Sequence, residues 1–363
     1  MKIKISKNEL IEPLTVATGL CRKASAMPAL SSVLFLMKEE GLEIKATDLN
    51  SAMSQVIGAE LVEGKEGSFG VNGALLLEYL QNLEPGEISL TLKGEWVMIE
   101  QGGSKAKIPL VKTDEYPDFE INERNLGVKI KTEDLNQAVK RALISVSSDE
   151  SRPILEGIYF KKKKERVLVV GTDGYRLSVS EIDYQGEWSE DVLISAKSVA
   201  ELIKGMKDEW IELGVDKKNN QVIVKNSKRR LGFRLIIGDY PNFEKIIPEG
   251  GLTKVEIDKD SFSSMVAQVS VFARQNANII KMDIGKKMKL STQSGYSGIG
   301  EVVGDCAIKG EEVSIAFNYR YLKEWLTLVK EGEVRMVING SLSPVKFYSS
   351  ESDFCHIIMP VKI

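Results

Sequence analysis

The chain has 363 residues, of which 43% are apolar and 28% are charged, a composition typical of a soluble globular protein with two or three domains. Its formal net charge of −3 argues against a uniformly basic nucleic-acid binder, so any such contact must depend on the local arrangement of charge. Three scattered cysteines without a CxxC pair indicate a reducing compartment, and no signal-peptide core or run of about 18 apolar residues occurs, so we expect a cytoplasmic protein without a membrane span.

The first third of the chain opens with an alternating strand around Ile3 and Ile5, followed by a helix. Apolar residues recur in this helix every three or four positions, which predicts one buried face; they are Leu10, Leu14, Ala17 and Cys21. Ser6 and Glu9 have the spacing of a capping box at its start, and Pro13 predicts a kink or a late start. A second helix is expected around residues 76–83, with Leu80 on its buried face.

The other two thirds repeat these elements. The opening strand recurs around residues 128–130, 125 residues after the first copy, and around residues 255–257, 127 residues after the second. The apolar stripe of the first helix recurs at the same offsets, as Leu135, Val139, Ala142 and Val146, and then as Phe262, Val266, Val269 and Ala273. The second helix recurs around residues 199–206 and 321–329, where Ile203 and Trp325 take the place of Leu80, and short β-rich runs complete each third at 167–170, 221–225 and 334–338.

Related motifs mark the joints between the thirds, YPDFE at residues 116–120 and YPNFE at 240–244. We therefore predict three domains, at 1–126, 127–251 and 252–363, each an α+β unit with two helices packed on antiparallel sheets. Three similar units are compatible with a linear array or with a closed ring of associated chains, and repetition alone leaves both open.

Two segments of the middle third, SRPILEG at 151–157 and GTDGYRL at 171–177, resemble the middle domain of the β subunit of bacterial DNA polymerase III, the replicative sliding clamp. The resemblance extends to YPNFEKIIP, which ends at Pro248, and to the C-terminal IIMPVKI at 357–363. It implies a head-to-tail homodimer, a six-domain ring with helices lining the hole and sheets outside, and no enzymatic activity, cofactor or metal. The implied partners are double-stranded DNA bound without regard to sequence, the polymerase alpha subunit, the clamp loader and other proteins with a clamp-binding motif.

The resemblance also implies a cleft for peptides from these partners. Aliphatic walls, glycine and one arginine that can orient a peptide carbonyl or carboxylate fit a groove for an apolar anchor. Tyr175 stands where many family members have histidine, and Val361 where methionine is common. The matching positions are Leu155, Thr172, Gly174, Tyr175, Arg176, Leu177, Pro241, Ile246, Ile357, Met359, Pro360 and Val361.

The family's subunit interface corresponds to Ile108 in the first domain and to Val271 and Phe272 in the third, with Ala106 in place of a bulkier apolar residue. The predicted helices together carry +4 and leave −7 for the rest of the chain, which favours a basic bore; their spans are 6–23, 73–83, 131–148, 196–207, 258–274 and 319–331. A solvated helix face is the alternative reading for each cation in them. The candidate DNA-facing cations are Lys7, Arg22, Lys23, Lys140, Arg141, Lys197, Lys204, Lys207, Arg274, Arg320 and Lys323.

An enzyme is poorly supported, because no Walker loop, dinucleotide fingerprint or HExxH motif occurs and His356 is the one histidine. Asp173 has a counterpart in Asp48 of the first third, so we expect both to be turn residues, and Lys161 to Lys164 to form a solvated hairpin tip. Leu155, Leu177 and Ile357 are expected in the core on composition alone; only the resemblance moves them to a groove. A three-domain scaffold that binds proteins but never closes on DNA remains the second hypothesis.

Overall fold

The computed structural model describes residues 1–21, 28–114, 116–117, 119, 121, 123, 126–274, 277–292, 298–349 and 353–362. Arg22 and Lys23, two of the candidate cations, lie outside these residues, as do Asp118 and Glu120 of the first joint motif. Within them, no helix is both long enough and apolar enough to cross a membrane.

Each third of the described chain has the same order of elements, a strand, a helix, five strands, a second helix and three strands. In the first third these are β1 (Lys2–Ser6), α1 (Lys7–Leu20), β2 (Ser32–Lys38), β3 (Gly41–Thr47), β4 (Ser51–Ile57), β5 (Glu60–Glu63), β6 (Gly67–Asn72), α2 (Gly73–Gln81), β7 (Glu87–Lys93), β8 (Trp96–Gln101) and β9 (Ser104–Val111).

The second third contains β10 (Leu126–Lys131), α3 (Thr132–Leu143), β11 (Gly157–Lys163), β12 (Arg166–Thr172), β13 (Arg176–Asp183), β14 (Gln185–Gly186), β15 (Val192–Ser195), α4 (Ala196–Leu202), β16 (Trp210–Asp216), β17 (Gln221–Lys225) and β18 (Arg229–Arg234). The last third contains β19 (Thr253–Asp258), α5 (Lys259–Ala273), β20 (Ile279–Ile284), β21 (Lys287–Ser291), β22 (Glu301–Asp305), β23 (Ala307–Lys309), β24 (Val313–Asn318), α6 (Tyr319–Leu326), β25 (Glu333–Ile338), β26 (Val345–Ser349) and β27 (Phe354–Ile358). The predicted threefold α+β repeat is therefore confirmed.

Contacts group the chain into two compact units. The first comprises residues 1–132, 185–189 and 197–235, and it contains one 14-stranded sheet in the order β14-β10-β16-β17-β18-β4-β3-β2-β6-β9-β8-β7-β1-β5. In this sheet β18 of the second third pairs antiparallel with β4 of the first, Gly232 opposite Ala52. The two helices of the first third contact each other, and the apolar stripe Leu10, Leu14 and Leu80 is wholly buried as predicted.

The second unit comprises residues 133–184, 190–196 and 236–363. It contains a nine-stranded sheet, β15-β11-β12-β13-β27-β26-β25-β19-β23, and a four-stranded sheet, β22-β21-β20-β24. Here β27, near the end of the chain, pairs antiparallel with β13, Ile357 opposite Leu177. A core cluster of this unit includes Phe262 of α5 and Trp325 of α6, both 0% exposed, and burying each such side chain contributes about 1.5–3 kcal/mol.

The helix ends differ from the sequence prediction. Ser6 is the N-cap of α1, but its side chain makes no capping hydrogen bond, so the predicted capping box is not formed. The same helix begins at Lys7 and continues through Pro13, so a late start is wrong. Three other helices do have side-chain caps: Asn72 accepts from the Leu75 N–H at 2.9 Å, Asp258 from the Ser261 N–H at 2.8 Å and Asn318 from the Arg320 N–H at 3.0 Å.

The predicted excess of positive charge on the helices is also wrong. All six are shorter than their predicted spans, and their formal charges in chain order are −1, −1, 0, 0, 0 and +1, a total of −1. The cations that produced +4 lie at helix ends or just beyond them, for example Lys204 and Lys207 after α4 and Arg274 at the end of α5. Cations at helix C-termini are favoured by the helix dipole in any protein, so helix charge does not distinguish a DNA channel from an ordinary surface.

Candidate functional site

The hairpin tip between β12 and β13 is closed by side chains of the turn itself. Thr172 Oγ1 donates to the Arg176 carbonyl at 2.7 Å and accepts from the Gly174 N–H at 3.1 Å. Asp173 Oδ1 accepts from the N–H groups of Tyr175 and Arg176 at 2.8 and 3.0 Å. Gly174 has φ +91°, a backbone conformation that glycine adopts without strain. This turn presents Tyr175 to solvent, with 61% of the residue exposed.

The equivalent turn of the first third has the same bonds. Thr47 Oγ1 donates to the Ser51 carbonyl at 2.8 Å, and Asp48 Oδ1 accepts from the N–H groups of Asn50 and Ser51 at 3.0 and 2.7 Å. The prediction that Asp48 and Asp173 are turn residues is confirmed, because each carboxylate accepts hydrogen bonds from backbone N–H groups of its own turn.

The last residues of the chain lie against this hairpin. β27 extends the pairing with β13 up to Arg176 opposite Ile358, and the Met359 N–H then donates to the Tyr175 carbonyl at 2.9 Å. Two residues further, the Val361 N–H donates to the Ala316 carbonyl at 2.8 Å. Residues 172–177 and 357–361, which are far apart in sequence, are therefore held side by side by backbone hydrogen bonds.

The segment after β18 packs on the face of the sheet to which Leu177 and Ile357 belong. Tyr240 stacks on Tyr159 with 4.6 Å between ring centroids, and Phe243 packs edge-on against both rings. Phe243 belongs to a buried cluster with five strand residues, which are Leu168, Val170, Leu177, Val179 and Ile357. Pro241 lies in this segment and Ile246 ends its short 3-10 helix with 40% of the residue exposed, so both border the surface above that cluster.

Leu155 reaches this region from a different segment, the 3-10 turn Pro153–Glu156. The Arg152 guanidinium donates to the Asp173 carbonyl at 3.3 Å, which places the start of that turn beside the hairpin tip. Leu155 itself is half-buried. By contrast, Leu177 and Ile357 are wholly buried, as composition alone predicts. Both are core residues that lie beneath this surface.

Arg176 is already engaged by side chains of the second unit. Its Nε lies 3.0 Å from Asp173 Oδ2, its NH1 forms an ion pair with Glu324, and its guanidinium stacks over the Tyr321 ring, 4.3 Å from the centroid. Only 12% of the side chain is exposed. These contacts hold the guanidinium in one orientation. A peptide carbonyl that accepts a hydrogen bond from it would do so beside the carboxylates of Asp173 and Glu324.

The candidate cations fall into three groups. Two predicted DNA-facing cations, Lys7 and Arg141, are instead engaged within the protein. Lys7 is 8% exposed and donates to the Leu83 carbonyl. The Arg141 guanidinium carbon lies 5.0 Å from the centroid of the Phe354 ring, and burial lowers the pKa of this arginine. Arg22 and Lys23 are not described. The other seven are exposed, and none is within ion-pair distance of a described carboxylate; they are Lys140, Lys197, Lys204, Lys207, Arg274, Arg320 and Lys323.

Each unit has a strand with an open edge. Residues 104–109 of β9 pair with β8 on one side, while on the other side β9 contacts β6 only through Leu110 and Val111. In the second unit β22 pairs with β21 alone among the described strands. An unpaired strand edge is a template for pairing with another chain.

Exposed apolar side chains surround the edge of β22. Val271 and Ile299 are each 61% exposed and Val303 is 52% exposed, while Phe272 is half-buried. Val271 and Phe272 are among the residues predicted from the family resemblance, whereas Ile299 and Val303 are not; Ile299 lies between two glycines and Val303 between Val302 and Gly304, so the sequence gives no signal of their exposure. Ile108, the predicted partner in the first domain, is only 3% exposed and faces its own core, so β9 offers its backbone rather than this side chain.

Comparison with known proteins is consistent with this geometry. Three family models match in tandem: the N-terminal domain of the DNA polymerase III beta subunit at residues 1–120, the central domain at 129–242 and the C-terminal domain at 244–362. The chain belongs to the DNA polymerase III beta subunit family. Curated relatives named beta sliding clamp include those of Bacillus subtilis, 24% identical, and Rickettsia bellii, 26% identical, each over the full length of both chains.

Solved structures of the family have the same fold. The DNA polymerase III beta subunit of Thermotoga maritima matches with a TM-score of 0.94 at 24% identity, covering 100% of this chain and 99% of that one. The Bacillus subtilis sliding clamp matches with a TM-score of 0.93 at 22% identity and the same coverage. The family resemblance inferred from the GTDGYRL segment and its neighbours is therefore confirmed.

Members of this family are processivity factors rather than enzymes, and the reactive groups of the chain agree with that role. His356 is wholly buried beside Ser178, Nδ1 to Oγ 3.0 Å, and burial, helped by the nearby Arg176 charge, lowers its pKa to about 3. Burial also raises the pKa of the Cys21 thiol to about 12, so this sulfur is not a thiolate nucleophile at neutral pH. Among the described residues no cluster of three metal-binding side chains occurs.

Proposed function

We propose that two copies of this chain close head to tail into a ring around duplex DNA and tether the replicative polymerase through the cleft at residues 172–177 and 357–361. In this proposal the three domains span 1–126, 127–251 and 252–363, and the ring acts in the cytoplasm. The clamp loader and other proteins with a clamp-binding motif use the same cleft. The observation that carries the proposal is the threefold repeat together with the unpaired strand edges of β9 in the first unit and β22 in the second.

These two edges support a closed dimer. If β22 of one chain adds to residues 104–109 of β9 in its partner, the sheets of the two chains become continuous at both contacts of a twofold ring. Backbone hydrogen bonds then supply register, and Val271, Ile299 and Val303 supply apolar area beside them. Ala106 and the buried Ile108 contribute little side-chain area on the β9 side, so we expect a weaker dimer than a bulkier residue at position 106 would give.

The cleft suits an extended peptide with an apolar anchor. Its floor is the buried cluster that contains Leu177 and Ile357, and its rim includes the exposed Tyr175 and Ile246. The backbone bond between Met359 and Tyr175 holds the two sides together, so the site depends on the C-terminal residues. An apolar floor with a few fixed polar groups at the rim is the usual composition of such sites.

Contact with DNA is proposed to involve the seven exposed cations and to be weak. A clamp that slides needs phosphate contacts without base readout, because specific contacts would stop movement along the duplex. The seven cations are few and lie near helix ends rather than in rows along the helices. Such an arrangement suits a protein that is retained on DNA because it encircles the duplex rather than because it binds tightly.

The alternative is an open scaffold that binds proteins through the same cleft and never encircles DNA. Its discriminating property is oligomeric state, since a monomer with open β9 and β22 edges cannot close a ring. We expect light scattering to give about 81 kDa, twice the 40.3 kDa of one chain. After loading, the protein should remain on nicked circular DNA and be lost when the circle is cut, whereas a monomer without this difference would establish the scaffold.

A further inference from the structure

A cavity of about 470 Å3 lies on the first unit, between strands β2 to β4 and the segment that follows β9. The strands contribute the half-exposed Leu34 and Leu36, and the segment contributes Tyr116, Phe119 and Ile121. None of these residues belongs to the proposed peptide cleft or to the open strand edges. The size is in the range of pockets that hold a small ligand or a few side chains.

The internal repeat places this cavity at the position of the cleft floor. Hairpin β3–β4 has the same register as β12–β13 at an offset of 125 residues, since Lys45 lies opposite Ser54 as Val170 lies opposite Val179. The neighbouring strand follows the same rule: Gly232 of β18 lies opposite Ala52, just as Ile357 of β27 lies opposite Leu177. The motif residues Tyr116 and Phe119 likewise correspond to Tyr240 and Phe243, at an offset of 124 residues.

Side-chain size explains why one position is filled and the other is open. The strand residues that fill the cluster of the second unit are Leu168, Val170, Leu177, Val179 and Ile357. Their equivalents in the first unit are Glu43, Lys45, Ala52, Ser54 and Gly232. Tyr159, which stacks on Tyr240, is replaced by Leu34, which has no ring to stack on Tyr116. The lost apolar volume leaves a cavity where the second unit has a packed core.

The described charged side chains that line the cavity are Glu43, Lys45 and Arg230. The Glu43 carboxylate, 5% exposed, receives Lys38 Nζ and Ser54 Oγ, each at 2.6 Å, and lies 3.8 Å from Lys45 Nζ. These cations hold the pKa of Glu43 below its ordinary value although burial opposes them. Arg230, which also lines the cavity, shares Glu123 with Lys225. Two cations and one carboxylate among the described residues therefore line the cavity, and a further carboxylate is favoured there.

We propose that this cavity is a second peptide site, which takes an apolar side chain of a partner protein followed by a carboxylate. The apolar side chain lies between Leu34, Leu36 and Phe119, and the carboxylate meets Lys45 and Arg230. The inference rests on the proposed function only in that the equivalent position of the second unit supports a peptide cleft. A ring would then hold one partner at two places in each chain, which raises the effective concentration of a weakly bound second segment.

The test uses the full-length protein with methyl-labelled side chains and the probe acetyl-Ala-Phe-Asp-amide. We expect saturable shifts of the Leu34 and Leu36 methyl signals with a dissociation constant on the order of 1 mM, as for a single anchored side chain. Replacing Asp in the probe by Asn should weaken binding about threefold or more, and replacing Phe by Ala should abolish it. The Ile246 and Met359 methyl signals report on the cleft in the same spectra.

Ala52→Leu introduces the leucine that the second repeat has at the equivalent position, Leu177. It should fill the cavity and weaken binding of the probe, measured at Leu34 and Leu36, about tenfold or more. Tyr175→Ala should leave binding there unchanged. If Ala52→Leu does not fold, Arg230→Gln replaces it, and the Asp and Asn probes should then bind alike. Shifts only at Ile246 and Met359, or no shifts at all, overturn the second site; the first of these results leaves the cleft standing, and the second counts against both.

Discussion

His356 provides a sharp test of the packing beneath the cleft. It is the one histidine of the chain, it is wholly buried in β27, and its Nδ1 lies 3.0 Å from Ser178 Oγ. Burial lowers its pKa from 6.5 to about 3, so the folded protein holds a neutral ring that the unfolded chain protonates below pH 6.5. Stability from this group is therefore complete above pH 6.5 and is lost as the pH falls towards 3.

The slope of this loss is about 1.4 kcal/mol per pH unit, so lowering the pH from 7 to 5 should remove about 2 kcal/mol of unfolding free energy. Carboxylates such as Glu43 have lowered pKa values and contribute mainly below pH 5, which leaves this window to the histidine. The assay is urea unfolding between pH 5 and 7, together with the proton-detected signal of the single imidazole. The folded protein should show no imidazole titration between pH 8 and 5.

His356→Leu is the matched control, because Leu231 occupies the equivalent position of β18, opposite Met53 as His356 is opposite Ser178. The variant loses the Ser178 contact at a cost of about 1 kcal/mol at every pH, and it should lose the slope between pH 5 and 7. A folded-state titration with a midpoint near 6.5, or an equal slope in the variant, would show that the imidazole is not held neutral by burial.

Three further predictions concern the proposed clamp. Truncation after Ile358 removes the Met359 bond to Tyr175 and should abolish stimulation of DNA synthesis while light scattering still gives a dimer; unchanged stimulation would contradict the cleft. Lys204→Glu with Lys207→Glu should lower retention on circular DNA about tenfold at physiological salt without changing peptide binding, and equal retention would remove these cations from the channel. Val303→Asp should weaken the dimer about tenfold or more in sedimentation, whereas Leu342→Asp, a control 61% exposed elsewhere, should not; equal effects would count against the β22 edge.

Much of the fold could be predicted from the sequence because the signals repeat. A stripe such as Leu10, Leu14 and Ala17 is ambiguous once, but its recurrence at constant offsets in all three thirds fixes both the helix and the repeat. Helix ends were less predictable. Ser6 has the right residue type for a capping box and makes no such bond, while Asn72 and Asp258 cap without one.

The proposed site was predicted as a set of residues but not as a surface. Tyr175 and Leu177 are two positions apart, yet one is 61% exposed and the other wholly buried, since the turn ends and the paired strand begins between them. The sequence also could not show that Lys7 and Arg141 are engaged within the protein, because the Leu83 carbonyl and the Phe354 ring that contact them are distant in sequence. Charge along a helix says little when the partner of each cation comes from another element.

The comparison of equivalent positions suggests how one repeated unit acquires different roles. Both hairpin tips are closed by the same threonine and aspartate bonds, so the backbone of the site is a property of the repeat itself. What differs is the set of side chains beneath it: Leu177 and Ile357 form a firm floor, while Ala52 and Gly232 leave space. A packed floor presents rim residues such as Tyr175 to a ligand at the surface, whereas an open floor admits a side chain below it. If both proposed sites bind peptides, substituting a few small residues changes where a peptide binds without any change of strand register.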